Sequence, residues 1–137
     1  MLGLATQLSV RQNHEKQKQS STFFEGDSAV WVEKTLRAGY KVETKCHVIV
    51  MGDVNPGAEI ISAGNILVWG KLGGSVFAGA DGDRAARVFA LELDPINLRI
   101  SDVIANPLNK KRKKQPEMAI IKENEIIIES WDTRKSR

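Results

Sequence analysis

The sequence predicts an all-β fold: a short triangular β-helix of about 18 residues per coil, with a C-terminal hairpin-like segment. Three observations carry this. Val, Ile, Leu and Ala alternate with period 2 between residues 29 and 105, as strands with one buried face require. The pattern repeats, so that HVIVMGDVNPGAEIISAG (47–64) superposes position for position on NILVWGKLGGSVFAGADG (65–82). Glycine or a polar residue breaks each unit about every six positions, which gives three corners per coil.

Residues 1–28 read as a polar arm. RQNHEKQKQSST (11–22) has no apolar periodicity, and MLGLATQLSVRQ is too short to span a bilayer and lacks a basic leader with a cleavage site.

Residues 29–105 read as the β-helix. Val48 falls on Ile66, Val50 on Val68, Gly52 on Gly70, Val54 on Leu72, Ala58 on Val76, Ile60 on Ala78 and Gly64 on Gly82. One unit earlier, Val30, Val32, Leu36, Gly39 and Val42 fall on Val48, Val50, Val54, Gly57 and Ile60. One unit later, Val88 and Ala90 can be placed on Val68 only with about two residues inserted near DGDRAA, and NLRI (97–100) reads as a last strand. The run RAARVFALEL (84–93) has a helical cap as its alternative. Inward residues of successive coils stack about 4.8 Å apart, and full burial of a Val or Ile is worth roughly 1.5–3 kcal/mol. A column of Val30, Val48 and Ile66 is therefore a stabilising unit.

Residues 106–116, NPLNKKRKKQP, read as a basic linker. The plain expectation is a solvated spacer that keeps the hairpin separate; the alternative is contact with nucleic acid or an anionic membrane. Residues 117–131 read as two strands around a polar turn at 122–125, able to cover an open coil end or to offer an edge to a partner. Residues 132–137 are a polar tail.

The 137 residues suffice for one domain, and a 42 % hydrophobic content with 6 % aromatics predicts an aliphatic core. Twenty basic and 17 acidic residues nearly balance. A single cysteine, Cys46, excludes a disulfide framework within the chain and suits a reducing compartment, so the expected location is the cytoplasm or a plastid stroma.

Catalytic chemistry is poorly supplied. Cys46 and His47 are neighbours in a strand and point to opposite faces, so they form no dyad, and no second His/Cys cluster offers a metal site. ADGD (80–83) reads as a turn, because a calcium cage needs more oxygen ligands than it holds. GKLGGS (70–75) lacks the Lys-Ser/Thr ending of a phosphate loop. We expect no catalytic residues, no cofactor and no metal. KKRKK (110–114) has no interleaved aromatics for base stacking, so nucleic acid is not an expected partner.

The outward residues of the repeat are more informative. Ile49, Met51, Leu67 and Trp69 lie together on one prism face, with Trp31 at the same parity. An apolar patch of this kind marks an interface, and a flat repeat face is readily self-complementary, so these four residues are the expected homodimer contact.

Residues 35–101, with GDVNPGAEI, GNILVWGKLGGSVFAGADGD and LRIS, closely resemble the C-terminal domain of the MinC septum-site-determining family, most of all its cyanobacterial members. PEMAIIKENEIIIESW (116–131) resembles the short C-terminal segment of many members. The resemblance implies a right-handed β-helix that homodimerises through one face and has no enzymatic activity. It implies a cell-division inhibitor that helps place the septum, is recruited to the membrane only through the ATPase MinD, and opposes assembly of FtsZ. The family's MinD-contact motif, Arg-Ser-Gly-Gln, falls on Arg37, Ala38, Gly39 and Tyr40; Arg37 and Gly39 match. Gly39 sits at a corner of the repeat like Gly57, whereas the repeat gives Arg37 no role, which makes Arg37 the better functional residue. LGLATQLSV (2–10) resembles the end of the family's N-terminal domain, so the arm is expected to be its remnant. Two other readings compete: a bactofilin-like β-helix that polymerises end to end, and a β-helical transferase with His47 as its base.

Overall fold

The computed structural model describes residues 27–109 and 111–131. The strands in chain order are β1 (Ala29–Val32), β2 (Lys41–Thr44), β3 (His47–Val50), β4 (Glu59–Ser62), β5 (Ile66–Leu72), β6 (Ser75–Ala78), β7 (Val88–Leu93), β8 (Asn97–Ile100), β9 (Val103–Ile104), β10 (Glu117–Lys122) and β11 (Glu125–Ser130). Odd and even strands up to β8 alternate between two parallel sheets. One runs β1-β3-β5-β7-β10-β11, the other β2-β4-β6-β8-β9. The third side of the prism is narrow: Leu36 bridges Val54, and Val54 bridges Leu72. The chain thus winds through four coils, each adding one strand to each sheet.

The period-2 alternation turns directly into core columns. Val30, Val48, Ile66 and Val88 are successive partners, and the last three are fully buried. Val42, Ile60, Val76 and Leu98 form a second column, and Leu36, Val54 and Leu72 fill the third side. The expected column of Val30, Val48 and Ile66 is present, and among the described residues the buried core is aliphatic, without an aromatic ring. Residues 84–93 are not a helical cap: Val88–Leu93 pairs in parallel with β5.

The expected register holds for β1–β3, β2–β4 and β3–β5 and for the Leu36–Val54–Leu72 side, but not for β4–β6 or β5–β7. Val76 pairs with Ile60, and not with Ala58 as expected, so the step between these strands is shorter than the repeat. The cause is a corner. The second coil spends Asn55–Ala58 on a turn closed by Ala58 N donating to Asn55 O at 3.0 Å, whereas the third turns through Gly73–Gly74 alone. The shorter corner runs so close beneath the longer one that a Cβ on Gly74 would lie 2.6 Å from the carbonyl oxygens of Asn55 and Ala58. The next corner, 79–87, makes the opposite change. It is longer than expected, and it brings Val88 onto Ile66 and Ala90 onto Val68.

Within the ADGD turn the two carboxylates are engaged separately. Asp81 pairs with Lys45 at 3.0 Å, and Asp83 accepts the Ala85 amide at 2.9 Å.

The hairpin turns through Glu123 and Asn124, both at positive φ (54° and 66°), as a two-residue hairpin turn requires. It is not held apart by a linker. β10 pairs antiparallel with β7, burying Ala119 against Val88, while Ile121, Ile126 and Ile128 pack on the core. The hairpin therefore covers the fourth coil. The expected spacer is corrected at one residue: Arg112 turns inward and bonds the buried Glu117.

Candidate protein-interaction surfaces

Two surfaces on different sides of the prism gather the expected site residues. The first is the outer face of the six-stranded sheet. Because β1, β3, β5, β7 and β10 share one register, their outward residues form a straight column: Trp31, Ile49, Leu67, Phe89 and Met118. Met51 and Trp69 follow two residues later on β3's exit and on β5. Trp31 is 59 % and Trp69 50 % exposed, a large apolar area for a surface facing water. Ile49, Met51, Leu67 and Trp69 are thus brought onto one face.

That face is larger than the sequence suggested. Phe89 and Met118 extend the column, and Trp131 packs on Phe89 with ring centroids 4.8 Å apart at 51°. The sequence offers Val68 as the partner position of Val88 and Ala90 without singling out Phe89, which falls beside Leu67 once Ala90 pairs with Val68. Trp131 carries no such signal, because its place depends on how the hairpin docks.

The second surface is the corner 37–40 between Leu36 and β2, in the first coil. Tyr40 N donates to Arg37 O (3.0 Å), closing a tight turn, and Gly39 N donates to Gly57 O of the next coil (3.0 Å). Gly39 takes φ +93°, and a Cβ there would meet nothing within 4 Å. Glycine is needed here for its backbone angle and not for space. Arg37, Ala38, Gly39 and Tyr40 are all exposed. Lys34 lies over the Tyr40 ring at 4.7 Å, so Arg37 and Lys34 give this corner a positive character that suits an acidic partner surface.

His47 is placed structurally. Its Nδ1 accepts the Asn65 amide (2.8 Å) and its Nε2 faces Asp27 (3.1 Å), which ties two coils together. Among the described residues no group of three His, Cys, Asp or Glu side chains gathers as a metal would require, and no helix is long and apolar enough to cross a membrane. Of the titratable groups, Asp102 stands out. The hydrogen bond from Arg84 (2.8 Å), then its own backbone amide, hold its carboxyl below the ordinary aspartate range.

Comparison with known proteins decides the family. The family model described as septum formation inhibitor MinC, C-terminal domain, matches residues 30–131. The chain belongs to the MinC C-terminal domain family. A probable septum site-determining protein MinC of Gloeobacter violaceus is 48 % identical over 100 residues, which span 72 % of this chain and 36 % of that protein. A MinC of Sulfurihydrogenibium is 44 % identical over 103 residues, spanning 72 % of this chain and 51 % of the relative. This chain therefore matches about half the length, or less, of these curated MinC relatives. Among solved structures, a chain of the MinC:MinD cell division protein complex of Aquifex aeolicus superposes with a TM-score of 0.72 at 36 % identity, covering 77 % of this chain and 87 % of that one. Cyanobacterial members are among the MinC relatives: Gloeobacter violaceus and, at 41 % identity over 99 residues, Thermosynechococcus vestitus.

Proposed function

We propose that this β-helix is the docking and dimerising part of a septum-formation inhibitor. It acts by protein–protein contact and catalyses nothing. The exposed corner Arg37–Ala38–Gly39–Tyr40 receives MinD, which brings the cytoplasmic protein to the membrane. The column containing Ile49 and Leu67, with Met51 and Trp69 beside it, forms a homodimer. Opposition to FtsZ ring assembly follows from that recruitment.

The observation that carries this reading is the separation of the two surfaces. One sheet's outer face is apolar, and a corner on another side of the prism is exposed and positive, so both contacts can be made at once. The fold's likeness to a chain of a MinC:MinD complex supports MinD as the partner at the second surface. The hairpin over the fourth coil disfavours the bactofilin-like reading, because end-to-end stacking needs that end free.

The test is a pull-down with ATP-loaded MinD, comparing the wild type with Arg37→Ala. Capture of the wild type and loss with the variant is expected. Equal capture of both refutes the role of Arg37, and no capture of the wild type refutes recruitment. Light scattering should give a discrete dimer; filaments in electron micrographs would revive the polymer.

A further inference from the structure

The basic run is organised in a way that its composition does not reveal. Arg112 points into the protein. Its Nη1 donates to Asn109 O (2.8 Å), its Nη2 donates to Leu93 O, and Nε and Nη2 both reach the Glu117 carboxylate, at 3.2 and 3.0 Å. That one side chain fastens the loop to the corner after β7 and to the start of β10. Lys111, Lys113 and Lys114 are left outside, all exposed. Lys114 stands 3.8 Å from Glu92, and Lys71 stands at the same distance from that same carboxylate. Among the described residues the side chains of Lys111 and Lys113 have no ion-pair partner.

We propose that this fastened lysine platform binds the anionic headgroups of a lipid bilayer directly. The charge balance of the patch favours it. Glu117 is matched by Arg112, Lys71 and Lys114 share Glu92, and Asp94 lines the same groove as Lys113 and Lys114, so among the described residues of this patch lysines outnumber the carboxylates beside them. The division of labour between residue types favours it as well. The one arginine, whose planar fork recognises carboxylates and phosphates directionally, is used internally. The outer groups are lysines, hydrated point charges on flexible stems, which suit a diffuse and fluid anionic surface. No aromatic residue lies in the run to stack a nucleic-acid base. Each lysine near an anionic leaflet adds a modest attraction that salt screens. Alone such a patch binds reversibly, and it becomes effective when a second contact holds the domain at the bilayer.

The inference does not depend on the MinD reading, because the protein is tested alone. Flotation with vesicles of phosphatidylcholine, and of phosphatidylcholine mixed with phosphatidylglycerol, is compared for the wild type and for Lys111→Glu/Lys113→Glu/Lys114→Glu. At low salt the wild type should float with the anionic vesicles only. The triple variant should lose about tenfold or more of that partitioning, with an unchanged melting curve. The triple Lys→Arg variant should retain it, since only charge is required. Equal flotation with neutral vesicles, an unaffected triple Glu variant, or no flotation of the wild type each overturns the proposal. So does tighter binding to a single-stranded oligonucleotide than to the anionic vesicles.

Discussion

Arg112 and Glu117 close an ion pair at 3.0 Å at the foot of the hairpin, where Glu117 occupies an inward-facing position opposite Ala90. The column that begins with Val32, Val50, Val68 and Ala90 therefore ends in a charge pair. The glutamate side chain is only 7 % exposed, so its carboxylate depends on the guanidinium.

Arg112→Ala should accordingly destabilise the fold by about 3 kcal/mol, the low end for removing one partner of a buried pair, because Arg112 itself keeps some contact with water. Urea unfolding measures it. Glu117→Gln, which keeps the shape and removes the charge, should cost less. A cost near zero for Arg112→Ala would mean that the loop does not hold the hairpin.

Gly74→Ala should cost roughly 1–3 kcal/mol, because the new methyl group must push against two backbone carbonyls at 2.6 Å. Gly73→Ala is the control. The nearest atom to its Cβ is Val54 O at 3.4 Å, and a change close to neutral is expected. Paired urea melts of the two variants decide whether close approach of the corners sets the shortened step from Ile60 to Val76.

The contrast between those two glycines also explains what was legible in the sequence. Alternation and the constant repeat offset placed Val48 on Ile66 and Val54 on Leu72, because columns of inward side chains impose a repeat. Corners impose no such repeat. The longer turn at Asn55–Ala58 and the tighter one at Gly73–Gly74 both bring the chain round, so the pairing of Ile60 with Val76 depends on backbone packing that no period records. The apolar face was visible at Ile49 and Leu67 for the same reason that the core was. Phe89 was hidden by the length of the 79–87 loop, and Arg112 by its place among lysines that point the other way.

Arg84 joins three segments at the covered end, reaching Asp102 at 2.8 Å and the hairpin-turn Asn124 at 3.0 Å. The Asp102 carboxyl is held below its ordinary value, first by this hydrogen bond. A carboxylate with a lowered folded-state pKa contributes stability above its unfolded value and loses it as pH falls through the folded one. The Arg84–Asp102 contact should therefore persist throughout the neutral range and weaken only in acid, below the usual aspartate titration. An NMR titration of the Asp102 carboxyl should show a low midpoint that moves up in Arg84→Gln. An unmoved midpoint would remove Arg84 as its cause.

Leu67 lies at the centre of the outward column, between Ile49 and Phe89, and its side chain takes no part in the core. A charge placed there leaves the columns of Val and Ile intact but must be desolvated if two such faces meet. Leu67→Glu should keep the wild-type melting curve of the monomeric fold and convert a dimer to monomer by light scattering. Trp69→Ala removes a half-exposed anchor and should weaken the dimer by about 2 kcal/mol, roughly thirtyfold in Kd, if the face is a true hot spot. Tyr40→Ala, at the corner on another side of the prism, should leave the dimer unchanged. A dimer that survives Leu67→Glu would move the interface away from this face, whatever the exposure of its tryptophans.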